Sequence, residues 1–391
     1  MEEIMKKFLL TIFALILSIS VLACNDNNVD ENVKVGLIVS AAGANDNGYN
    51  QFAIDGLNKA ATDFSIETQV VNNATDVPGS LETLAEDGFD LIFTLEYNFA
   101  ALVTDDGSGQ SLAEKYPDTT FVTFNAFANT NESGTKIHDN VVEVLFNVNE
   151  GSFLAGALAA LVIENNEVLF DSSEYSFTSV DNGGRAVGFV GGVQSDGITV
   201  FGYGFAQGVE YIADELDVQY SLYETYSAGF GASQDNYNLI DSYFDSGVNV
   251  VFAAAGGVAT NMRNAASDNG KLAIDVDANQ DAQVPGSVLT SVLKNTDVAV
   301  YDLIDKFVND TTIGGQTFFY DLNSGATGIT DLATIEGYVK EDQAAQDKWA
   351  EIKAKLAQIQ SDISNGTIDV IDAQAGEVLD YDTLDHVTKA N

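Results

Sequence analysis

Asp277 and Lys294 carry the most suggestive chemistry in the sequence. Each closes an apolar run, "IDVDANQD" (274–281) and "SVLTSVLKN" (287–295), and Lys294 stands out in a chain with only 16 Lys and Arg residues. A carboxylate accepts two hydrogen bonds from a vicinal diol, and an ammonium donates to the same hydroxyls or holds the carboxylate in place. The pair therefore suits a sugar; the plain alternative is a salt bridge at a lobe boundary. A second polar cluster, "GANDNGYNQ" (43–51), follows the apolar run "VKVGLIVS" (33–40). Asn, Asp and Gly favour turns, and the same residues at a strand's carboxyl end suit the lip of a ligand site. "AAAGGVATN" (253–261), with Gly256, is a glycine turn at which backbone N–H groups can approach a ligand. Tyr97, Phe205 and Phe230 read as strand-end aromatics able to stack on a planar ring, although each also suits a core.

Catalytic patterns are missing. The sequence has no H-E-x-x-H, no C-x-x-C, no P-loop and no G-x-S-x-G elbow. Its many carboxylates form no D-x-D-x-D-G calcium loop. His138 and His386 stand in polar surroundings without ligand spacing and read as surface residues. Neither an enzyme nor a metal or cofactor site is expected.

Strands and helices must position these groups. Strand candidates are 33–40, 68–71, 90–95, 120–126, 141–147, 186–192, 218–225, 249–256, 272–278 and 287–293, mostly continuous apolar runs bounded by Gly, Asn or Asp. Such runs belong to strands buried on both faces of a parallel sheet. Helical stretches alternate with them, among them 49–64, 151–163 and 233–247. The alternation predicts a doubly wound α/β fold, and the strands outnumber what one small sheet needs, so two similar lobes are expected. Residues 151–163, "GSFLAGALAALVI", are apolar enough for a membrane but too few to cross one, and read as a helix buried between lobes or on a sheet. Residues 343–366 read as an amphipathic helix stopped at Asn365-Gly366, and "TIDVID" (367–372) as a final strand.

The chain has 391 residues and a formal charge of −43, from 16 basic and 59 acidic residues. The acidity is spread along the sequence, which suits a surface adapted to high salt. A field of that sign repels nucleic acid and phosphorylated ligands and favours neutral or cationic ones. The N-terminus reads as a secretory signal: basic "MKK" (5–7), an apolar stretch (8–23), then Cys24. "VLAC" (21–24) resembles a bacterial lipobox, with Cys24 as the lipidated residue and a polar tether over 24–32. Cys24 is the only cysteine, so no disulfide forms within the chain.

Several stretches together resemble the basic membrane protein family of bacterial lipoproteins, purine nucleoside receptors of ABC importers. They are 43–51, "NEGSFLAGALAALV" (149–162), "VGFVGGVQSDGITVFGYGFAQGV" (187–209), 247–258, 274–280, "VLTSVLKNTDVAV" (288–300) and "DISNGTIDV" (362–370). The resemblance implies a type I periplasmic-binding-protein fold, two Rossmann-like lobes with three hinge crossovers and a ligand in the cleft. It implies a first lobe of 33–146 and 277–318 and a second of 147–276 and 319–391. It also implies that Asn45 and Asp46 belong to the site, Asp46 bonding the base; that Tyr49 and Asn50 match the family's Phe-Asn pair; that Gly256 lies beside the ligand; and that Asp277 and Lys294 bond ribose. The chain departs from the family pattern at three places that bear on the base: Asn125 where Asp is usual, Ile54 (with Phe52 nearby) where an aromatic is usual, and Glu96-Tyr97 for Gly-Phe.

The expectation is thus a lipid-anchored extracytoplasmic receptor that captures a nucleoside by hinge closure and delivers it to an ABC permease and its ATPase. Its rivals are a receptor for a sugar or autoinducer-like polyol and, more remotely, a nucleoside-cleaving enzyme.

Overall fold

The apolar runs become strands because their side chains are covered on both faces. In the computed structural model, which describes residues 33–41, 43–46, 48–72, 75–95, 100–103, 109–131 and 133–390, strands β3 (Leu91–Thr94), β5 (Val141–Phe146), β6 (Ala186–Gly191) and β8 (Val250–Ala254) are buried at every position. The remaining strands are β1 (Lys34–Ile38), β2 (Glu67–Val71), β4 (Thr120–Phe124), β7 (Tyr220–Thr225), β9 (Leu272–Asp277), β10 (Val288–Lys294), β11 (Thr317–Tyr320), β12 (Thr327–Ile329) and β13 (Val387–Lys389). They form two sheets, β11-β5-β4-β3-β1-β2 and β12-β10-β9-β8-β6-β7-β13. Pairing is parallel except between β10 and β12.

Eight longer helices cover the sheets: α1 (Tyr49–Phe64), α2 (Val77–Glu86), α3 (Val148–Leu169), α4 (Asp196–Leu216), α5 (Gln234–Asp245), α6 (Val258–Asn269), α7 (Thr296–Val308) and α8 (Gln343–Ser364). In α1, Ala53, Gly56, Leu57 and Ala60 are buried, the spacing of one helical face. Helix α3 is longer than the segment 151–163 suggested. At Val148–Leu169 it has the length and apolar composition to cross a membrane, but 72 % of its most apolar window is buried inside the protein. Burial against neighbouring elements, not shortness, explains its composition.

Three connections join the sheets: Phe146 to Val148, Lys294 to Thr296, and Tyr320 to Thr327. Glu150 ties the first to the third, accepting from Asn147 Nδ2 and from the Leu322 amide, each at 2.9 Å. The expected lobe boundary at 277 is corrected here. β10 pairs with β9 and β12 in the second sheet, so the chain returns to the first lobe only after Lys294 and stays through Tyr320. The expected strand at 367–372 is absent. Its backbone bonds go to side chains instead of a ladder: Val370 O accepts from Asn149 Nδ2 and Ile371 N donates to Gln207 Oε1. The seven-stranded sheet takes β13 as its edge strand, where Lys389 and the Tyr381 hydroxyl both reach the buried Glu224 carboxylate.

Candidate functional site

The loop after β1 is built around one carboxylate and one amide. Asp46 Oδ1 accepts from the Gly48 and Gln51 amides, and Oδ2 from the Asn50 amide and Asn50 Nδ2, all at 3.0 Å. Those donors include orphan N–H groups of the first turn of α1, so Asp46 serves as the helix's cap although Gly48 occupies the capping position. Asn50 is fully buried, its Oδ1 taken by the Ser40 amide and its Nδ2 by Ser40 Oγ, Gly43 O and Asp46. Sequence reasoning pointed both side chains at a ligand. The structure turns Asn50 inward and commits the lone pairs of Asp46 to the loop, since a carboxylate has about four acceptor sites. Asn45 is exposed on the same turn.

That loop delivers Tyr49 to a second group of residues. The Tyr49 hydroxyl accepts from Asn125 Nδ2 at 2.8 Å, and its ring centroid lies 5.2 Å from Lys294 Nζ. Phe146 flanks the ammonium at 5.3 Å, so two aromatic faces hold the cation. Lys294 is the last residue of β10, 5 % exposed, and Asp277 the last of β9. A Cβ on Gly48 would lie 3.7 Å from Asp277 Cβ, which places the first-lobe loop directly against the second-lobe strand end. Asn125 and Asp277 both have left-handed backbone, φ 65° and 69°. For residues other than glycine this geometry carries strain of the kind that collects at functional sites.

Asp277 and Lys294 act on each other through charge alone, with no hydrogen bond or ion pair to either side chain among the described residues. Burial pushes the Asp277 carboxyl up to about 6; Lys294 opposes this, while Asp46 and Asp275 add to it. Burial pushes Lys294 down to about 8 against the pull of Asp277. A desolvated carboxylate and ammonium held apart can each hydrogen-bond a neutral group that carries adjacent donors and acceptors.

The other candidates divide. Gly256 (φ 52°) is exposed in the turn after β8, against Phe230 O. Phe230 is 54 % exposed and lies across Gly192, whose Cβ would come 2.5 Å from the ring. Phe205 is no strand-end aromatic: it is fully buried in α4, packed on Phe189 and Phe252 at 6.5 and 5.6 Å. Tyr97 and Cys24 lie outside the described residues. Phe146, which sequence reasoning missed, carried no signal beyond being apolar in a strand. The histidines are not surface residues: both are half-buried, His138 against Ser111 Oγ and His386 against Val218 O. No group of His, Cys, Asp and Glu suited to a metal occurs among the described residues.

A family model described as "ABC transporter substrate-binding protein PnrA-like" matches residues 32–363. The ABC transporter nucleoside-binding protein BmpA of Lactococcus lactis is 25 % identical over 94 % of this chain and 99 % of its own. A CD4+ T-cell-stimulating antigen of Listeria innocua is 27 % identical over 80 % and 87 %, and an uncharacterized lipoprotein of Pyrococcus abyssi 26 % over 79 % and 72 %. Among solved structures, an ABC transporter solute-binding protein from Aeropyrum pernix superposes with a TM-score of 0.67, covering 90 % of this chain and 95 % of that one at 21 % identity. A periplasmic solute-binding protein from Actinobacillus succinogenes with bound D-allose superposes at 0.55, covering 78 % and 100 % at 15 % identity. These likenesses match the two-lobed type I periplasmic-binding fold.

Proposed function

The chain belongs to the Bmp family of PnrA-like ABC transporter substrate-binding proteins, and from that premise we propose that it captures a purine nucleoside between its lobes. A substrate-binding protein of this class works with a permease and an ATPase. The observation that carries the nucleoside reading is the meeting of Asp277 and Lys294 at adjacent strand ends, both desolvated, beside the Tyr49 ring. Ribose presents the vicinal hydroxyls such a pair can bond. Phe230 offers an exposed ring from the second lobe for the base. The chain's charge of −43 favours a neutral nucleoside over its phosphates. Closure follows from contacts that only a ligand touching both lobes can make: Tyr49 and Asn125 come from the first, Asp277 and Lys294 from the second. Lipidation at Cys24, with anchoring at the outer face of the membrane, completes the proposal. Calorimetric titration with inosine, adenosine and guanosine is expected to give saturable binding that ribose displaces only at far higher concentration. Equal affinity for ribose and nucleosides would replace this reading with a sugar receptor.

The charge pair also sets a pH profile. Ribose hydroxyls donating to Asp277 favour its ionised form, so affinity falls as pH drops below about 6. Ligand oxygens accepting from Lys294 favour the ammonium, so affinity falls again as pH rises above about 8. Each limb has a limiting slope of about tenfold per pH unit. Titrations from pH 5 to pH 9 should therefore peak between those values, and Asp277→Asn should remove the acid limb.

A further inference from the structure

Two of the candidate site residues, Tyr49 and Asn125, bond to each other. The Tyr49 hydroxyl takes Asn125 Nδ2 at 2.8 Å, which fixes the plane of the amide, and the Asn125 backbone amide is held on Val144 O at 2.7 Å. Asn125 is 7 % exposed, and its Oδ1 is buried with no hydrogen-bond partner. We infer that Asn125, oriented by Tyr49, reads one N–H donor on the ligand's base, so that the site selects nucleosides whose base carries such a donor, as a 6-oxopurine does at N1. This rests on the nucleoside reading and narrows it.

The physical basis is an asymmetry. A buried acceptor left without a donor costs about 1–3 kcal/mol, whereas satisfying it gains less than that in water. A base that brings an N–H relieves the cost; a base of the same shape without one leaves it in place. Neutrality matters as well. Asp277 already feels Asp46 and Asp275, and a further carboxylate at position 125 would oppose its ionisation. An amide supplies an acceptor there without charge. Tyr49 is a positioning residue: with Nδ2 held, Oδ1 is the pole left for the ligand, and turning the amide over would offer a donor instead.

The test compares inosine with purine riboside, which keeps the shape but lacks the N–H, and with 1-methylinosine, by calorimetry on the full chain. Inosine is expected to bind about 10- to 100-fold more tightly than either analogue, the span that the cost of an orphaned acceptor implies. In Tyr49→Phe the amide is released and the ratio of inosine to purine riboside should fall towards one. Asn125→Asp should move the acid limb of the pH profile upward. Equal binding of inosine and purine riboside by the wild-type protein, or tighter binding of purine riboside, would overturn the inference while leaving the nucleoside reading intact. So would a ratio that Tyr49→Phe does not alter. If no nucleoside binds, the parent reading fails and the inference with it.

Discussion

Asp277→Ala is expected to lower nucleoside affinity by about 100-fold or more while leaving the protein folded. On the proposed reading, two hydrogen bonds from ribose to a charged acceptor would be lost, each worth about 1.5–3 kcal/mol. The fold should survive because the wild-type carboxyl is itself held against its ionised form by burial. Removing it relieves that cost, although Lys294 then stays desolvated between Tyr49 and Phe146 without its opposite charge. Lys294→Met, of similar length and without charge, should lose affinity to a comparable degree. It should also push the Asp277 carboxyl higher, since the ammonium is the influence that favours the carboxylate. Calorimetry paired with thermal unfolding separates the two effects. Unchanged nucleoside binding in both variants would remove the pair from the site.

Gly208→Val is expected to destabilise the second lobe by about 3 kcal/mol or more. Helices α3 and α4 cross with their backbones in near contact: a Cβ at Gly208 would run into the Phe153 carbonyl, one at Gly204 into Asn149 O, and one at Gly156 into Phe205 O. Backbone offers no rotamer in which to retreat, so the helices must separate, at the upper end of the usual 1–3 kcal/mol cost of overpacking. Gly197, at the start of the same helix α4, is the internal control. Nothing lies within 4 Å of its Cβ position, so Gly197→Ala should be neutral or slightly stabilising through helix propensity. Urea midpoints for the two variants, at a common slope, give the comparison directly.

The small residues of "GSFLAGALAALV" and "FGYGFAQGV" were visible in the sequence, but their purpose was not. Composition alone fits a membrane segment, a core helix or a flexible one. It is the partner helix, packed directly against it, that makes Gly156, Gly204 and Gly208 necessary. The same holds for polar residues. Asp46, Asn50 and Asn125 all look like site residues in a list of letters, because the groups that bond a ligand also bond backbone amides. Only the fold shows that Asp46 and Asn50 spend their hydrogen bonds on the loop, whereas Asn125 keeps a buried oxygen unmatched.

What the sequence determined by itself was local: the strands whose both faces are covered, the helices with one apolar face, and the strand ends that carry Asp277 and Lys294. Hydrophobic runs and periodicity depend on near neighbours, so they survive in one dimension. What only the tertiary structure decided was pairing. An apolar strand such as β10 suits either sheet equally well, and its partners β9 and β12 assign it to the second. That choice moves the crossover to Lys294 and so sets the ammonium at the hinge, against a tyrosine from the other lobe. Phe205, which reads in sequence as a strand-end aromatic, went to the core for the same reason: burial is a property of the neighbours a residue acquires, and those come from the rest of the chain.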